Sequence, residues 1–365
     1  MRASAAGGRF RAGRKHARLA VTQRRRGERI VDDRWNLKWS RAEQAWQRLP
    51  KKPDGTIDWG DVRVAHLDTG YTEHIAFGSW SPSGTNPNVL VRLGKDYFRP
   101  NRPKPNDPLK DGFFLFPGHG TRSGTALAGL DGAEGFTGIA PRLPIIPCRV
   151  TDSVIIDSGS ARAIGDAINR TVARRHAKVV SISLGNIIPY KAMGQAVDRA
   201  YEAGVIVVAA AGQKVDRVTY PAKHRRVIGV AGVTRRGKKD SIYNRYESYA
   251  RVDCWAPAKP IRRGNYKEPI YGSGDGTTYA TLHVSAAAAM WLCVHGPQIQ
   301  QLYGNTWRRI EAFRQVLFAS QQPLTFKVPE TNRAGGVDID ALLARPLPDP
   351  ASLQKEMDLA ADDLF

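Results

Sequence analysis

Three short segments of this chain carry side chains that could act on a substrate. Val64-Ala65-His66-Leu67-Asp68-Thr69-Gly70 is an apolar run that ends in an acid and a turn, which puts Asp68 at the carboxyl edge of a sheet. Taken alone this is weak, because Asp-x-Gly is common in turns. Gly118-His119-Gly120-Thr121 opens a run of small residues, Arg122-Ser123-Gly124-Thr125-Ala126-Leu127-Ala128-Gly129, at helical spacing. Lone histidines are more often structural than catalytic. One set between two glycines at the head of a small-residue helix is harder to explain as core filling. Gly274-Asp275-Gly276-Thr277-Thr278-Tyr279-Ala280 is a Gly-rich loop that runs into an Ala-rich helix. Free N–H groups in a first helical turn favour developing negative charge. A hydroxyl there can be a nucleophile with its own N–H as an oxyanion donor. The plainer alternative is that Thr277 or Thr278 is an N-cap. Asp68, His119 and Thr278, in that order, can supply an acid, a base and a nucleophile.

These groups need elements to bring them together. Short β-rich runs recur at 62–67, 143–150, 178–184, 205–211, 227–233 and 252–256. Helical periodicity falls between and after them, at 160–175, 190–202, 278–294 and 307–318. Continuous apolar strands alternating with helices predict an α/β, doubly wound domain with a mainly parallel central sheet. In such sheets the ligand crevice lies outside the carboxyl ends of the strands, where Asp68 is expected.

The three segments, in their order, resemble the catalytic blocks of the subtilases, subtilisin-like serine peptidases. Gly138-Ile139-Ala140-Pro141 is similar to the family's turn after the histidine helix. Ser181-Ile182-Ser183-Leu184-Gly185 resembles its substrate-lining strand, and Tyr220-Pro221-Ala222 its segment beyond the oxyanion residue. The resemblance runs from about Trp35 to Leu343. It implies a subtilisin-like fold, endopeptidase activity on polypeptides, no required cofactor, and structural calcium whose ligands map onto no particular residues here. It makes Asp68, His119 and Thr278 catalytic and puts Gln213 in the oxyanion position. It also lines the substrate groove with Ser181, Ile182, Ser183, Leu184, Gly185, Ala210, Ala211 and Gly212.

The chain departs from the family pattern at Thr278, where a serine is usual, at Gln213, where an asparagine is usual, and at Leu282, where a proline is usual. Threonine's methyl stiffens χ1 beside the attacked carbonyl, and Gln213 carries its amide on a longer stem. Two functions follow: a peptidase, or a pseudopeptidase that binds extended peptides without cutting them. An aspartic peptidase built on Asp68-Thr69-Gly70 and Asp157-Ser158-Gly159 is rejected. Asp157 leads into a helical pattern, the chain reads as α/β, and the His119 block would be unexplained. Ser273 and Ser285 rank below Thr278, the first for lack of helix-start N–H groups, the second for lying two turns into the helix.

The formal charge is +21, much of it in the first 29 residues. A basic N-terminal arm over 1–34, a peptidase domain over 35–345 and an acidic tail over 346–365 are expected. The arm is read as solvated chain, with an acidic partner or nucleic acid as the alternative. No apolar stretch is long enough to span a bilayer. Cys148, Cys254 and Cys293 are odd in number and far apart, which fits reduced thiols. With so short a lead before Trp35, the chain resembles intracellular members, and a cytoplasmic location is expected.

Overall fold

The apolar runs become strands of one parallel sheet because each is buried on both faces. In chain order the strands of the sheet are β1 (Val64–Asp68), β2 (Lys95–Asp96, the one polar member), β3 (Ile145–Arg149), β4 (Val179–Ile182), β5 (Ile206–Ala210), β6 (Ile228–Thr234) and β7 (Cys254–Lys259). Their spatial order is β2-β3-β1-β4-β5-β6-β7, every pair parallel. The computed structural model describes residues 33–130, 135–235, 251–326 and 335–357, all within a unit that begins at Asp33. The basic arm, but for Asp33 and Arg34, lies outside the described residues.

Helices cover both faces: α1 (Trp35–Trp39), α2 (Ala42–Ala45), α3 (His119–Ala128), α4 (Ser158–Arg174), α5 (Lys191–Glu202), α6 (Thr277–Tyr303), α7 (Arg308–Ser320) and α8 (Ile339–Ala344). Successive strand side chains point to opposite faces, so Val180 and Val207 join α4 and α5 through Ile164, Ile168, Met193 and Val197. Val179, Val208 and Val230 pack on the other face with the α6 residues Ala286, Ala289 and Trp291. Strands β8 (Ile261–Gly264) and β9 (Tyr271–Gly274) form an antiparallel hairpin that leads into α6.

The structure adds detail the pattern did not carry. Helix α6 continues past Pro297 to Tyr303, because Ile299 and Tyr303 keep its buried stripe going at 1% and 3% exposure. Strand β2 is two polar residues, fixed by a buried ion pair between Asp96 and Arg149 at 2.6 Å. Asp157 is the N-cap of α4 and accepts the Ser160 N–H at 2.7 Å. Residues 346–357 carry no regular structure apart from a 3-10 turn at Pro350–Ser352, with Leu347 and Leu353 against the core. Glu356 pairs with Arg251 at 2.7 Å. No described helix is long and apolar enough to cross a membrane.

Candidate active site

Asp68 is the last residue of β1, and His119 is the first of α3. Two close approaches bring them together. Gly120 passes so near the turn after β1 that a Cβ on it would sit 2.0 Å from the Gly70 carbonyl oxygen. Thr69 then fastens the turn. Its hydroxyl accepts the Gly120 N–H at 3.0 Å and donates to Asp107 at 2.5 Å, while the same Asp107 oxygen takes the Gly118 N–H at 2.9 Å. Burial pushes the Asp107 carboxyl up against these hydrogen bonds.

His119 Nδ1 lies 2.7 Å from Asp68 Oδ1, and His119 Nε2 lies 3.3 Å from Thr278 Oγ1. The structure thus gathers at one sheet edge three residues that are 51 and 159 positions apart. Burial alone would raise the Asp68 carboxyl. The neighbouring His119, His66 and the Thr69 N–H outweigh it and hold Asp68 at about 2, so it is a carboxylate at any ordinary pH. Phe116 meets the His119 ring edge-on at 6.5 Å.

Thr278 is the second residue of α6, half-buried at the head of a helix that is otherwise core. Gly276 precedes the helix at φ 152°, a conformation that favours glycine. A Cβ there would stand 3.1 Å from Gln213 Oε1 and 3.6 Å from Thr278 Oγ1. Gly276 therefore keeps open the space between hydroxyl and amide. Gln213 is exposed, and its Oε1 accepts the Thr277 N–H at 3.1 Å. With that oxygen engaged, the amide NH2 is the group left to donate.

Of the residues read as groove lining, Gly185 and Gly212 are half-exposed. Ser181, Ile182, Ser183, Leu184, Ala210 and Ala211 are buried. Ser181 accepts from Ser285 at 2.9 Å inside the fold, and Ser183 donates to the Thr278 carbonyl at 3.4 Å. Thr219, which sequence reasoning passed over, stands between the two glycines. A Cβ on Gly185 would be 2.4 Å from Thr219 Oγ1, and one on Gly212 would be 2.6 Å from Thr219 Cγ2. Ser273 is exposed on β9. Also missed were His66 and Ser123, both buried, with the Ser123 hydroxyl 3.0 Å from Asp68 Oδ2. Their signal was in the sequence: His66 is two residues before Asp68 on a strand, and Ser123 is four after His119 on a helix. Both spacings return a side chain to the same face. Among the described residues no group of three or more His, Cys, Asp or Glu could share a metal ion, so calcium enters no step below.

A carboxylate, an imidazole and a hydroxyl in line at the carboxyl edge of a parallel sheet, beside a helix N-terminus, are the arrangement of a serine-type peptidase. The chain belongs to the subtilase family, whose model matches residues 60–322. Subtilisin E of Bacillus subtilis is 29% identical over 240 residues, which are 64% of this chain and 56% of the relative. Subtilisin Savinase of Lederbergia lenta is 30% identical over 230 residues, 63% of this chain and 75% of the relative. The match thus spans little more than half the length of subtilisin E. Among solved structures, a protease of Pseudoalteromonas arctica superposes with a TM-score of 0.66 at 22% identity, covering 86% of this chain and 97% of its own. MycP1 with its N-terminal propeptide removed gives a TM-score of 0.62 at 18% identity, with 86% and 98% covered. At those identities the likeness is one of fold.

Proposed function

We propose that this chain is a subtilisin-like endopeptidase in which Thr278 is the nucleophile, His119 the general base, Asp68 the partner of that base and Gln213 an oxyanion donor. The observation that carries the reading is the Asp68–His119–Thr278 line, with contacts of 2.7 and 3.3 Å. The longer contact suits a resting site, since such bonds tighten when substrate closes in. Thr278 Oγ1 attacks the peptide carbonyl carbon while its proton passes to His119 Nε2. Negative charge on the carbonyl oxygen meets the Thr278 N–H and the Gln213 amide. The tetrahedral adduct collapses, the C–N bond breaks, and His119 gives its proton to the leaving amine. Water then gives a proton to His119 and attacks the ester carbonyl; the bond to Thr278 Oγ1 breaks, the carboxylic acid product leaves, and His119 returns the proton to Thr278.

The substrate is an extended polypeptide. Support comes from the half-exposed backbone of Gly185 and Gly212 at the cleft and from apolar side chains beside it. Ile155 and Ile187 are each 49% exposed and Ile188 50%, a rim suited to apolar peptide side chains. A cytoplasmic location belongs to the same proposal, supported by Cys148, Cys254 and Cys293 all being free thiols.

The second reading, a pseudopeptidase that binds extended peptides, is favoured by the threonine methyl and by an exposed Gln213 on a longer stem in the oxyanion position. Peptide hydrolysis by wild type, Thr278→Ala, Thr278→Ser and Gln213→Asn separates the two. An enzyme loses turnover in Thr278→Ala and keeps or gains it in Thr278→Ser, where χ1 is freed. A binder shows no wild-type turnover while Thr278→Ala keeps peptide affinity. Undiminished hydrolysis by Thr278→Ala would move the nucleophile elsewhere, and a fluorophosphonate probe with mapping of the labelled residue would then locate it.

A further inference from the structure

The side of Asp68 away from His119 is not apolar. Behind it stands a second polar pair, His66 on β1 and Ser123 on α3, 3% and 0% exposed. Ser123 Oγ lies 3.0 Å from Asp68 Oδ2 and 3.1 Å from His66 Nε2, and His66 Nε2 lies 3.7 Å from Asp68 Oδ2. Ser123 Oγ is also 2.9 Å from the His119 carbonyl oxygen and 3.2 Å from that of Gly120. One hydroxyl proton therefore faces several acceptors, and the bland choice is the back-bond common to helical serines.

Counting donors decides it. Asp68 Oδ1 takes His119 Nδ1–H and the Thr69 N–H at 2.7 Å each. Among the described residues Ser123 is the one hydrogen-bond donor to Oδ2. If its proton turned to a helix carbonyl, a fully buried carboxylate oxygen would be left bare, which costs more than a neutral hydrogen bond returns. The His119 and Gly120 carbonyls already have helix N–H partners four residues on. The charge-assisted bond to Asp68 is thus preferred. A Ser123 oxygen that donates to Asp68 can accept from His66, so His66 must carry its proton on Nε2. Burial, reinforced by His119 and opposed by Asp68, lowers the affinity of His66 for a second proton, in keeping with a neutral ring.

We propose that His66 and Ser123 form a positioning arm on Asp68: His66 Nε2–H donates to Ser123 Oγ, whose own proton is given to Asp68 Oδ2. The carboxylate is then clamped through both oxygens, with its plane set for His119. This deepens the peptidase reading and rests on it. The titratable groups around the arm are Asp68, His66 and His119, with Asp107 one hydrogen bond further off through Thr69. Both positions are polar where a buried strand–helix contact would ordinarily be apolar. Next to them, Gly124 packs against Phe77 and Ile145, with the His66 ring 3.8 Å from where its Cβ would be.

Three measurements on the full chain test the arm. Nitrogen-15 correlation spectra of His66 at neutral pH should show the Nε2–H tautomer. The Nδ1–H tautomer would overturn the proposal, since Ser123 would then have to donate to His66 and leave Oδ2 bare. On a peptide substrate, Ser123→Ala should lower kcat about tenfold or more with KM within about twofold, as expected when a hydrogen bond to a charged group is lost. The double variant His66→Val with Ser123→Val keeps the space filled but leaves Asp68 Oδ2 as bare as Ser123→Ala does, so it should melt below wild type and stay as slow as Ser123→Ala. A double variant as fast as wild type would show that the pair only fills space, and the arm would be withdrawn. A wild type without turnover but with His66 as Nε2–H would refute the peptidase reading alone.

Discussion

Gln213 caps α6 and is the proposed oxyanion donor, two tasks that a single substitution can separate. Its Oε1 accepts the Thr277 N–H at 3.1 Å and borders the space that Gly276 leaves open, and its NH2 is the group proposed to donate. Gln213→Glu keeps an oxygen for Thr277 and adds negative charge at a helix N-terminus, worth about 0.3–1 kcal/mol of stability. It also replaces the oxyanion donor with an anion. Removal of one such donor costs about 3 kcal/mol, or 10²–10³ in kcat, a figure that itself comes from a subtilisin. Repulsion adds to that cost, so the Glu variant should lose roughly 10³ or more in kcat while melting no lower than wild type. Gln213→Ala loses cap and donor together. Its kcat should fall less, roughly tenfold to a hundredfold, because this amide is exposed and water can stand in for it. Its stability should fall by about 1 kcal/mol, or about 2 °C in a domain of this size. Peptide hydrolysis under saturating substrate and thermal unfolding at neutral pH read the two effects. A Glu variant with wild-type kcat would refute the oxyanion assignment. An Ala variant that melts at the wild-type temperature would refute the cap.

Two more outcomes follow from groups near the cleft and in the core. Thr219→Gly clears the slot between Gly185 and Gly212, so peptides with a larger apolar residue on the acyl side of the cut should gain roughly tenfold relative to those with alanine there; an unchanged ranking of peptides would place that residue elsewhere. His283 and His224 are both lowered to about 4 by burial, with Lys223 adding to the effect at His224 and the Tyr279 carbonyl opposing it at His283. Their unfolded values are near 6.5, so between pH 6.5 and 4 the unfolded chain binds more protons and stability falls as pH drops, by up to about 3 kcal/mol for each. Denaturant unfolding at pH 7 and 4.5 should show a smaller acid loss for His283→Gln than for wild type, and equal losses would remove His283 from the account.

The parallel sheet and its flanking helices were legible because the strands are continuous apolar runs and the helices keep a buried stripe. The ends of elements were less so. Helix α6 outran its predicted end because one proline did not stop a helix whose next turns still pack. The β2 strand was hidden, being two residues held by the Arg149 ion pair rather than by apolar periodicity. The convergence of Asp68, His119 and Thr278 was legible, since carboxylate, imidazole and hydroxyl each sat at the end of a recognisable element. The place of Thr219 was not: what matters is that two glycines on other segments approach it, and no local pattern records that. Ser181 and Ile182 were read as groove residues from the likeness of 181–185 to the family's substrate-lining strand, yet they lie within β4 and are buried.

Thr278 is the second residue of helix α6, which continues as a deeply covered element of one core, with residues from Tyr279 to Leu292 all below the surface. The Thr278 hydroxyl is thus not carried on a loop that can loosen by itself. Its setting can be lost only when the helix leaves the sheet, and that is the cooperative opening of the domain. If the chain cuts extended polypeptides, as proposed, this has a protective side. A peptidase always has its own copies as neighbours, and segments that fray are the ones a neighbour can thread into its cleft. Nicks should therefore collect in the outer loops and leave this helix whole, so that a clipped molecule stays competent until it unfolds outright.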